Sequence, residues 1–448
     1  MTVSTIILAA GKGSRMKSPT PKILHKIAGK QLIAFSVDLA KAIKSKETIV
    51  VVGEETEKVT REALSDNKVK YCLQKNQLGT GDAVKIAFKN FKITSKYTLI
   101  LYGDTPFIAK GTIKRMIAKA DRGFDFVFLG FQSLTKNSYG KFKIGPNRAL
   151  IDIIEKNEPG YNTSESLSNS GILLARTNIA VDIIQRIKNH NAKQEYYLTN
   201  IVKMATEHGY SSTYVQCEEH ECLGVNSQFE LSVAERKFQD DFRKKLMASG
   251  VSMPSPETCF FSHDTVIKRG CVIEPNVVFG TGVEIRNSTI IRSHSYIEGT
   301  QIGRHCQIGP FARLRPGTNL LDEVKVGNFV EVKNSTLASD TKANHLSYIG
   351  DAKIGGNTNI GAGTIFCNYD GKNKHLTTVG DNVFVGSNVS LIAPLKIGDA
   401  SIVAAGSAIN RDVPSESLAI ARLIQQNKIG LGKKIMLKLQ KLAVKMKK

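Results

Sequence analysis

Two spacings of apolar residues divide the chain. Up to about residue 228, short β-rich runs alternate with helical stretches. The runs are TIILAA (5–10), TIVVVG (48–53), YTLILYGD (97–104) and FDFVFLG (124–130), and Gln31 to Ser45 is one of the helical stretches. Such alternation predicts an α/β, Rossmann-like domain over 1–228, a parallel sheet with helices on both faces and ligands beyond the carboxyl ends of the strands. Residues 229–250 are charged, with apolar positions at helical spacing, and read as a linker helix. From Val251 the period becomes six. Ile302 and Ile308 precede Gly303 and Gly309, Val326 precedes Gly327, and Ile354 and Ile360 precede Gly355 and Gly361. Val379, Val385, Leu391, Ile397 and Val403 continue the ladder. Each step of six supplies a short strand with one inward aliphatic and a small residue at the turn. Stacked steps make a parallel β-helix, expected over 251–422.

The ladder breaks once, over GAGTIFCNYDGKNKHLTT (361–378), a polar stretch expected to project as a functional loop. Beyond it, 423–448 forms a basic tail, free of acids from Lys428 onward, with Ile435, Leu439, Leu442 and Met446 on one helical face. The expectation for this tail is a docking or frayed segment, in preference to contact with a membrane surface.

Composition narrows the function classes. The chain has 448 residues and a formal net charge of +22. That charge fits polyanionic small molecules or a lysine-rich surface. Against nucleic acid, aromatics are 7%, Trp is absent and no reader motif appears. The seven cysteines include no C-x-x-C pair, so zinc and a disulfide framework are not indicated. Free thiols, no basic n-region and no long apolar window predict a cytoplasmic protein.

The chemistry begins at LAAGKGSRM (8–16), where the first strand runs into two glycines. Met16 stands where a dinucleotide fingerprint needs glycine, and no Walker loop is present. A glycine cradle flanked by Arg15 and Lys22 suits a triphosphate whose leaving group is pyrophosphate. Asp104 closes a strand on the same edge of the sheet. In the repeat region His345, in KANHLSYIGD, is a candidate base. His263, His294 and His305 have no metal-ligand spacing and read as turn residues.

On these motifs the chain resembles the sugar-phosphate nucleotidyltransferases. With the hexapeptide domain it is similar, from Leu8 to Arg422, to the bacterial bifunctional UDP-N-acetylglucosamine pyrophosphorylase/glucosamine-1-phosphate N-acetyltransferases. The resemblance implies a left-handed β-helix and a homotrimer. It implies acetylation of glucosamine 1-phosphate by acetyl-CoA, then Mg²⁺-dependent transfer from UTP to N-acetylglucosamine 1-phosphate, making UDP-N-acetylglucosamine for cell-envelope polymers.

Residue by residue, the resemblance places Leu8, Ala9, Ala10, Gly11 and Gly13 around the nucleotide, with Arg15 and Lys22 on its phosphates. Gln74, Gly79 and Thr80 (LQKNQLGTGDA) would read uracil, and Asp104 and Asn226 would hold Mg²⁺. Gly140, Glu155 and Asn169 would hold the sugar. In the second half it makes His345 the base and Asn368 its aid, with Arg315, Lys333, Tyr348 and Asn359 on glucosamine 1-phosphate. Asn368, Tyr369, Ser387, Ala405 and Arg422 would meet acetyl-CoA. EYYLTN ends in Asn200, where the family is expected to carry Asp. Two other readings compete: a one-reaction sugar-1-phosphate nucleotidyltransferase with a structural or regulatory β-helix, and a non-catalytic scaffold or exchange-factor subunit.

Overall fold

A computed structural model describes residues 2–133, 139–156, 158, 160–161, 167–189 and 194–445. The chain forms two compact units, divided between Asp241 and Phe242. The stretch with helical spacing is the helix Gln228–Ala248.

Among the described residues the first unit is built on a nine-stranded sheet. Its main path runs Ser212–Cys217, Phe126–Phe131, Ser168–Arg176, Tyr97–Tyr102, Val3–Ala9, Thr48–Gly53, Lys70–Gln74. Val3–Ala9 is buried at every position and pairs in parallel with strands on both sides, which is why it carries the apolar run Ile6–Ala9, with only Ser4 and Thr5 as buried polar residues. Helices Leu32–Ala42, Thr80–Asn90, Lys110–Asp121 and Thr177–Arg186 each turn an apolar stripe to the core.

The sheet is mixed, not wholly parallel. Ser168–Arg176 runs antiparallel to both of its neighbours. The preceding chain forms the antiparallel pair Lys141–Ile144 and Leu150–Ile154. Among the described residues no crossover helix lies between Phe126–Phe131 and Ser168–Arg176, the element a parallel return would use.

The second unit stacks three parallel sheets of eight, nine and eight strands, each strand pairing with the third one on in sequence except at the last pair, Ile402–Val403 with Leu418–Ala419. This is the left-handed β-helix of hexapeptide repeats. Hydrogen bonds between coils span 17 or 18 residues, three steps of six. Every ladder residue named above is buried, and the column extends back through Ile297, Ile291, Ile285, Phe279, Ile273 and Ile267. Each such aliphatic contributes about 1.5–3 kcal/mol by leaving water.

The break is narrower than its sequence suggested. Ile365–Cys367 is still a strand, paired to Tyr348 on one side and to Ser390–Ile392 on the other. Phe366, six after Ile360, fills the column at 0% exposure. The extra residues begin at Asn368, and the spacing rises to 25 there.

Leu431–Lys445 is a helix, and Leu431, Ile435, Leu439 and Leu442 are all exposed. Met446 lies outside the described residues. Among the described residues no helix is long and apolar enough to cross a membrane. The seven cysteines are free thiols, six of them buried.

Candidate functional sites

The apolar run that makes Val3–Ala9 a central strand also delivers the glycine turn to the sheet's carboxyl edge. Gly13 holds φ 65°, and a Cβ there would lie 2.5 Å from the Cβ of Lys22. Glycine is therefore required twice over, by the left-handed backbone and by the close passage of Lys22. Gly11 borders open space. Ser14–Met16 then makes one tight turn that buries Met16 and turns Arg15 outward.

Four predicted residues meet at this edge. The Lys22 ammonium donates to the Asp104 carboxylate and, at 3.1 Å, to the Asn226 side-chain oxygen. Arg15 donates to that same oxygen at 2.9 Å. The Asn226 amide nitrogen donates to the Gly224 carbonyl at 3.2 Å, which fixes the oxygen toward the cations. The Val225 N–H donates to the Asp104 carbonyl, joining two segments far apart in sequence. A carboxylate and an amide oxygen thus converge on one cationic group. That donor set fits a hard divalent cation completed by phosphate and water.

Gln74 is placed differently from a free reader of a base. It is 3% exposed, and its amide nitrogen donates to the Gly79 carbonyl (3.1 Å) and to Asp82 (2.7 Å). Both N–H groups shape the Gly79–Thr80 turn, which leaves its carbonyl oxygen as the atom able to meet a ligand. Gln77, which sequence reasoning missed, donates to the Ala10 carbonyl at 2.6 Å and ties this turn to the phosphate loop. Thr80 accepts from the Leu198 N–H.

Gly140, Glu155 and Asn169 form a second cluster. The Asn169 N–H donates to the Gly140 carbonyl at 2.8 Å, and the Asn169 side-chain oxygen accepts from Gly171. Thr199 donates to Glu155 at 3.0 Å. Its neighbour Asn200 closes the short turn Leu198–Asn200 and makes no side-chain cap. Tyr102, also missed, is near both clusters: burial pushes its phenol far above the ordinary value, and the charges of Asp104 and Glu155 push the same way. It therefore stays protonated. An aromatic at a strand end gave no sequence signal for this.

In the second unit His345 ends the strand Lys342–His345. Its Nδ1 lies 2.7 Å from the side-chain oxygen of Asn328. An amide oxygen only accepts, so Nδ1 carries the hydrogen and the Nε2 lone pair faces outward. Asn328 is thus the orienting partner, one coil away and invisible as such in the sequence.

Asp351, missed entirely, is the pivot of the neighbouring cluster. It is 9% exposed, holds φ 50°, and its two carboxylate oxygens each accept at 2.5 Å, from Asn334 and from Asn368. A carboxylate only accepts, so Asn368 must present its NH₂ to Asp351, which leaves its carbonyl oxygen for another partner. Tyr348 and Asn368 both crowd over Gly350, where a Cβ would meet them at 2.5 and 2.8 Å.

Arg315 donates to Glu331 at 2.7 Å, a contact that raises the guanidinium's pKa further. Lys333 is lowered chiefly by the ammonium of Lys374 beside it, with burial and Arg315 adding to the effect. Lys374 comes from the inserted loop. There Asp370 accepts from the N–H groups of Asn373 and Lys372 and from His375, contacts that hold its carboxyl well below the usual range. An open cleft beside these groups is lined by Asn334, Asp351, Lys353, Lys374 and His375. Three cations crowded together suit a phosphate monoester.

Asn359 is not part of this cluster: it pairs with Lys342 on the sheet that carries His345. The Tyr369 hydroxyl donates to Gly371 within its own loop. Ser387, Ala405 and Arg422 stack at one corner of later coils. Gly406 N–H donates to the Ser387 carbonyl at 2.8 Å, and Gly406 lies against the Arg422 side chain. His294 and His305 occupy positive-φ turns. Among the described residues no group of three or more His, Cys, Asp or Glu could hold a metal ion.

A MobA-like NTP transferase domain matches residues 5–154. The Bifunctional protein GlmU of Bartonella quintana (strain Toulouse) is 42% identical over 437 residues, 97% of each chain. That of Ruegeria sp. (strain TM1040) is 43% identical over 440 residues, again 97% of each. The GlmU of Wolbachia pipientis wMel is 43% identical over 429 residues, 95% of this chain and 98% of its own.

Proposed function

The chain belongs to the bifunctional GlmU family, and on that footing we propose what each unit does. The protein is a bifunctional enzyme. Its β-helix transfers an acetyl group from acetyl-CoA to the amine of glucosamine 1-phosphate. Its N-terminal unit transfers uridylyl from UTP to N-acetylglucosamine 1-phosphate and releases pyrophosphate. The observation that carries this reading is the presence of two separate built sites. One is the Arg15–Lys22–Asp104–Asn226 constellation; the other is made of two groups on the β-helix, His345 oriented by Asn328 and the Lys333–Lys374 cation pair. A scaffold has no use for either, and a one-reaction enzyme has no use for the second.

In uridylyl transfer the sugar phosphate is already anionic at neutral pH, so no general base is needed. Catalysis is positioning and charge neutralisation at the α-phosphorus. Arg15 and Lys22 neutralise charge on the phosphates. Mg²⁺, held by Asp104 and Asn226, would supply a further compensating charge on the triphosphate. The Gln74 carbonyl accepts the uracil N3–H from a turn its own amide has fixed. Glu155 and Asn169 hold the sugar.

In acetyl transfer the phosphate of glucosamine 1-phosphate rests on Arg315, Lys333 and Lys374, with Tyr348 beside it. His345 Nε2 removes the proton that the amine loses as it attacks the thioester. The Asn368 carbonyl, aimed by Asp351, accepts from the same amine. Arg422 meets the nucleotide phosphates of acetyl-CoA beside Ser387 and Ala405. The subunits assemble as a homotrimer. Support comes from the exposed column His294, Phe311, Phe329 on successive coils, with ring centroids 4.9 and 5.2 Å apart and Leu346 following. An apolar edge of this kind suits a partner.

The reading is tested by incubating the protein with UTP, Mg²⁺ and a panel of sugar 1-phosphates, with and without acetyl-CoA. The expected product is UDP-N-acetylglucosamine from N-acetylglucosamine 1-phosphate, and from glucosamine 1-phosphate only when acetyl-CoA is present. Nucleotide sugar formed without any acetylation would leave the β-helix without its reaction.

Asp351 offers a sharper check. Asp351→Asn keeps size but lets residue 351 donate as well as accept, so Asn368 is free to flip. Acetyl transfer should fall about 10- to 100-fold in kcat, the loss of one well-aimed hydrogen bond to a charged group. KM for glucosamine 1-phosphate and the uridylyl rate should stay close to wild type. An equal fall in both activities, with a lowered melting temperature, would make Asp351 merely structural.

A further inference from the structure

The helix Leu431–Lys445 is absorbed by neither reaction. Four of its apolar residues, Leu431, Ile435, Leu439 and Leu442, follow each other at spacings of four and three, one stripe of a helix, while the exposed Met436 and Leu437 lie off it. All four are between 41 and 54% exposed, so no other part of the described chain covers the stripe. Lys434, Lys438 and Lys441 each stand one residue before Ile435, Leu439 and Leu442. One residue is about 100° around an α-helix. The lysines therefore form a second stripe alongside the apolar one, not opposite it. From Lys428 to Lys448 the sequence has eight lysines and no Asp or Glu, a large share of the net charge of +22.

We propose that this helix is a surface anchor for an anionic lipid bilayer. With the apolar stripe turned into the headgroup boundary, the adjacent lysine stripe lies at the level of the lipid phosphates. There long lysine side chains reach anions while their stems stay in apolar surroundings. Charge selects this occupant over a second copy of the helix, whose lysines would face like charges, and over a neutral apolar groove. It also selects the surface over the interior: the helix is short and its lysines interrupt every turn. The absence of aromatic residues from 428–448 leaves nothing to stack on bases, which disfavours single-stranded nucleic acid. Since each surface lysine adds to the attraction and salt screens it, binding is expected to be reversible and salt-sensitive.

The test compares the full chain, a chain ending at Asn427, and a full-length Ile435→Gln/Leu439→Gln variant. Each is co-sedimented with vesicles of phosphatidylcholine alone and of phosphatidylcholine mixed with phosphatidylglycerol. The full chain should bind the mixed vesicles about tenfold or more better than the neutral ones, and lose that binding as salt rises. The shortened chain should bind neither. The glutamine variant keeps every lysine and should bind several-fold more weakly. Both altered chains should retain full acetyl and uridylyl transfer in solution, so the outcome is separate from the assignment of the two reactions. Equal binding by the full and shortened chains would overturn the proposal. So would retention of the full chain on RNA with none on anionic vesicles, or loss of either activity on shortening.

Discussion

Asp104→Ala is expected to reduce uridylyl transfer by at least ~100-fold while acetyl transfer continues at the wild-type rate. The carboxylate is 15% exposed at the end of Tyr97–Tyr102 and accepts from Lys22 beside the Asn226 oxygen. Removing it takes away the one formal negative charge of the donor set, and an amide oxygen alone binds Mg²⁺ poorly. The local backbone has its own support, because Val225 N–H bonds to the Asp104 carbonyl and not to the side chain. The loss should therefore show in the Mg²⁺ titration before it shows in stability. Residual activity of the variant should need much higher Mg²⁺ for saturation. Asp104→Asn, which restores size and one oxygen, should fall between the two. The measurement is pyrophosphate release from UTP alongside thiol release from acetyl-CoA, on one preparation. Equal loss of both signals would sink the separation of the two sites.

What could be read in advance follows from how far a physical signal extends along the chain. The strand Val3–Ala9 was legible because burial on both faces favours an apolar run, here Ile6 to Ala9. The β-helix was legible because its core repeats every six residues, and ten matches in register leave little room for coincidence. Arg15 and Lys22 were nominated from the glycine turn, Asp104 from its strand end and Asn226 only through the family resemblance, and the structure brings them onto one side-chain oxygen and one carboxylate. The antiparallel strand Ser168–Arg176 was not legible, since strand direction depends on how the chain returns and leaves no mark on the strand itself. Phe366 was passed over because the ladder was read in aliphatics, although a ring fills the same place. Asn328 and Asp351 escaped for another reason. Each acts through a side chain one coil away, at a spacing of 17 residues. A polar residue in a turn looks alike whether it is solvated or holds a catalytic partner.

His345→Ala should stop acetyl transfer and leave pyrophosphate release untouched. A positioned general base contributes ~10²–10⁴-fold, and a fall in kcat of that size is expected with little change in KM for glucosamine 1-phosphate. The separation of kcat from KM follows from the cluster geometry. In the proposed site the substrate phosphate would rest on Arg315, Lys333 and Lys374, and the hydrogen-bond partner of His345 is Asn328, not one of these cations. Asn328 provides the finer test. Asn328→Ala removes the acceptor that keeps the hydrogen on Nδ1, so the ring can turn or take the other tautomer, and a partial loss is expected. Asn328→Asp keeps an acceptor in place and should preserve most of the rate. If Asn328→Ala were as damaging as His345→Ala, orientation would account for the whole of the histidine's contribution. If His345→Ala acetylated at the wild-type rate, the base would have to be sought at another residue. Added imidazole then discriminates: it should recover part of the activity of His345→Ala, where a cavity replaces the ring, and none of the activity lost in Asp351→Asn, where the base is intact and the amide that receives the amine has turned away.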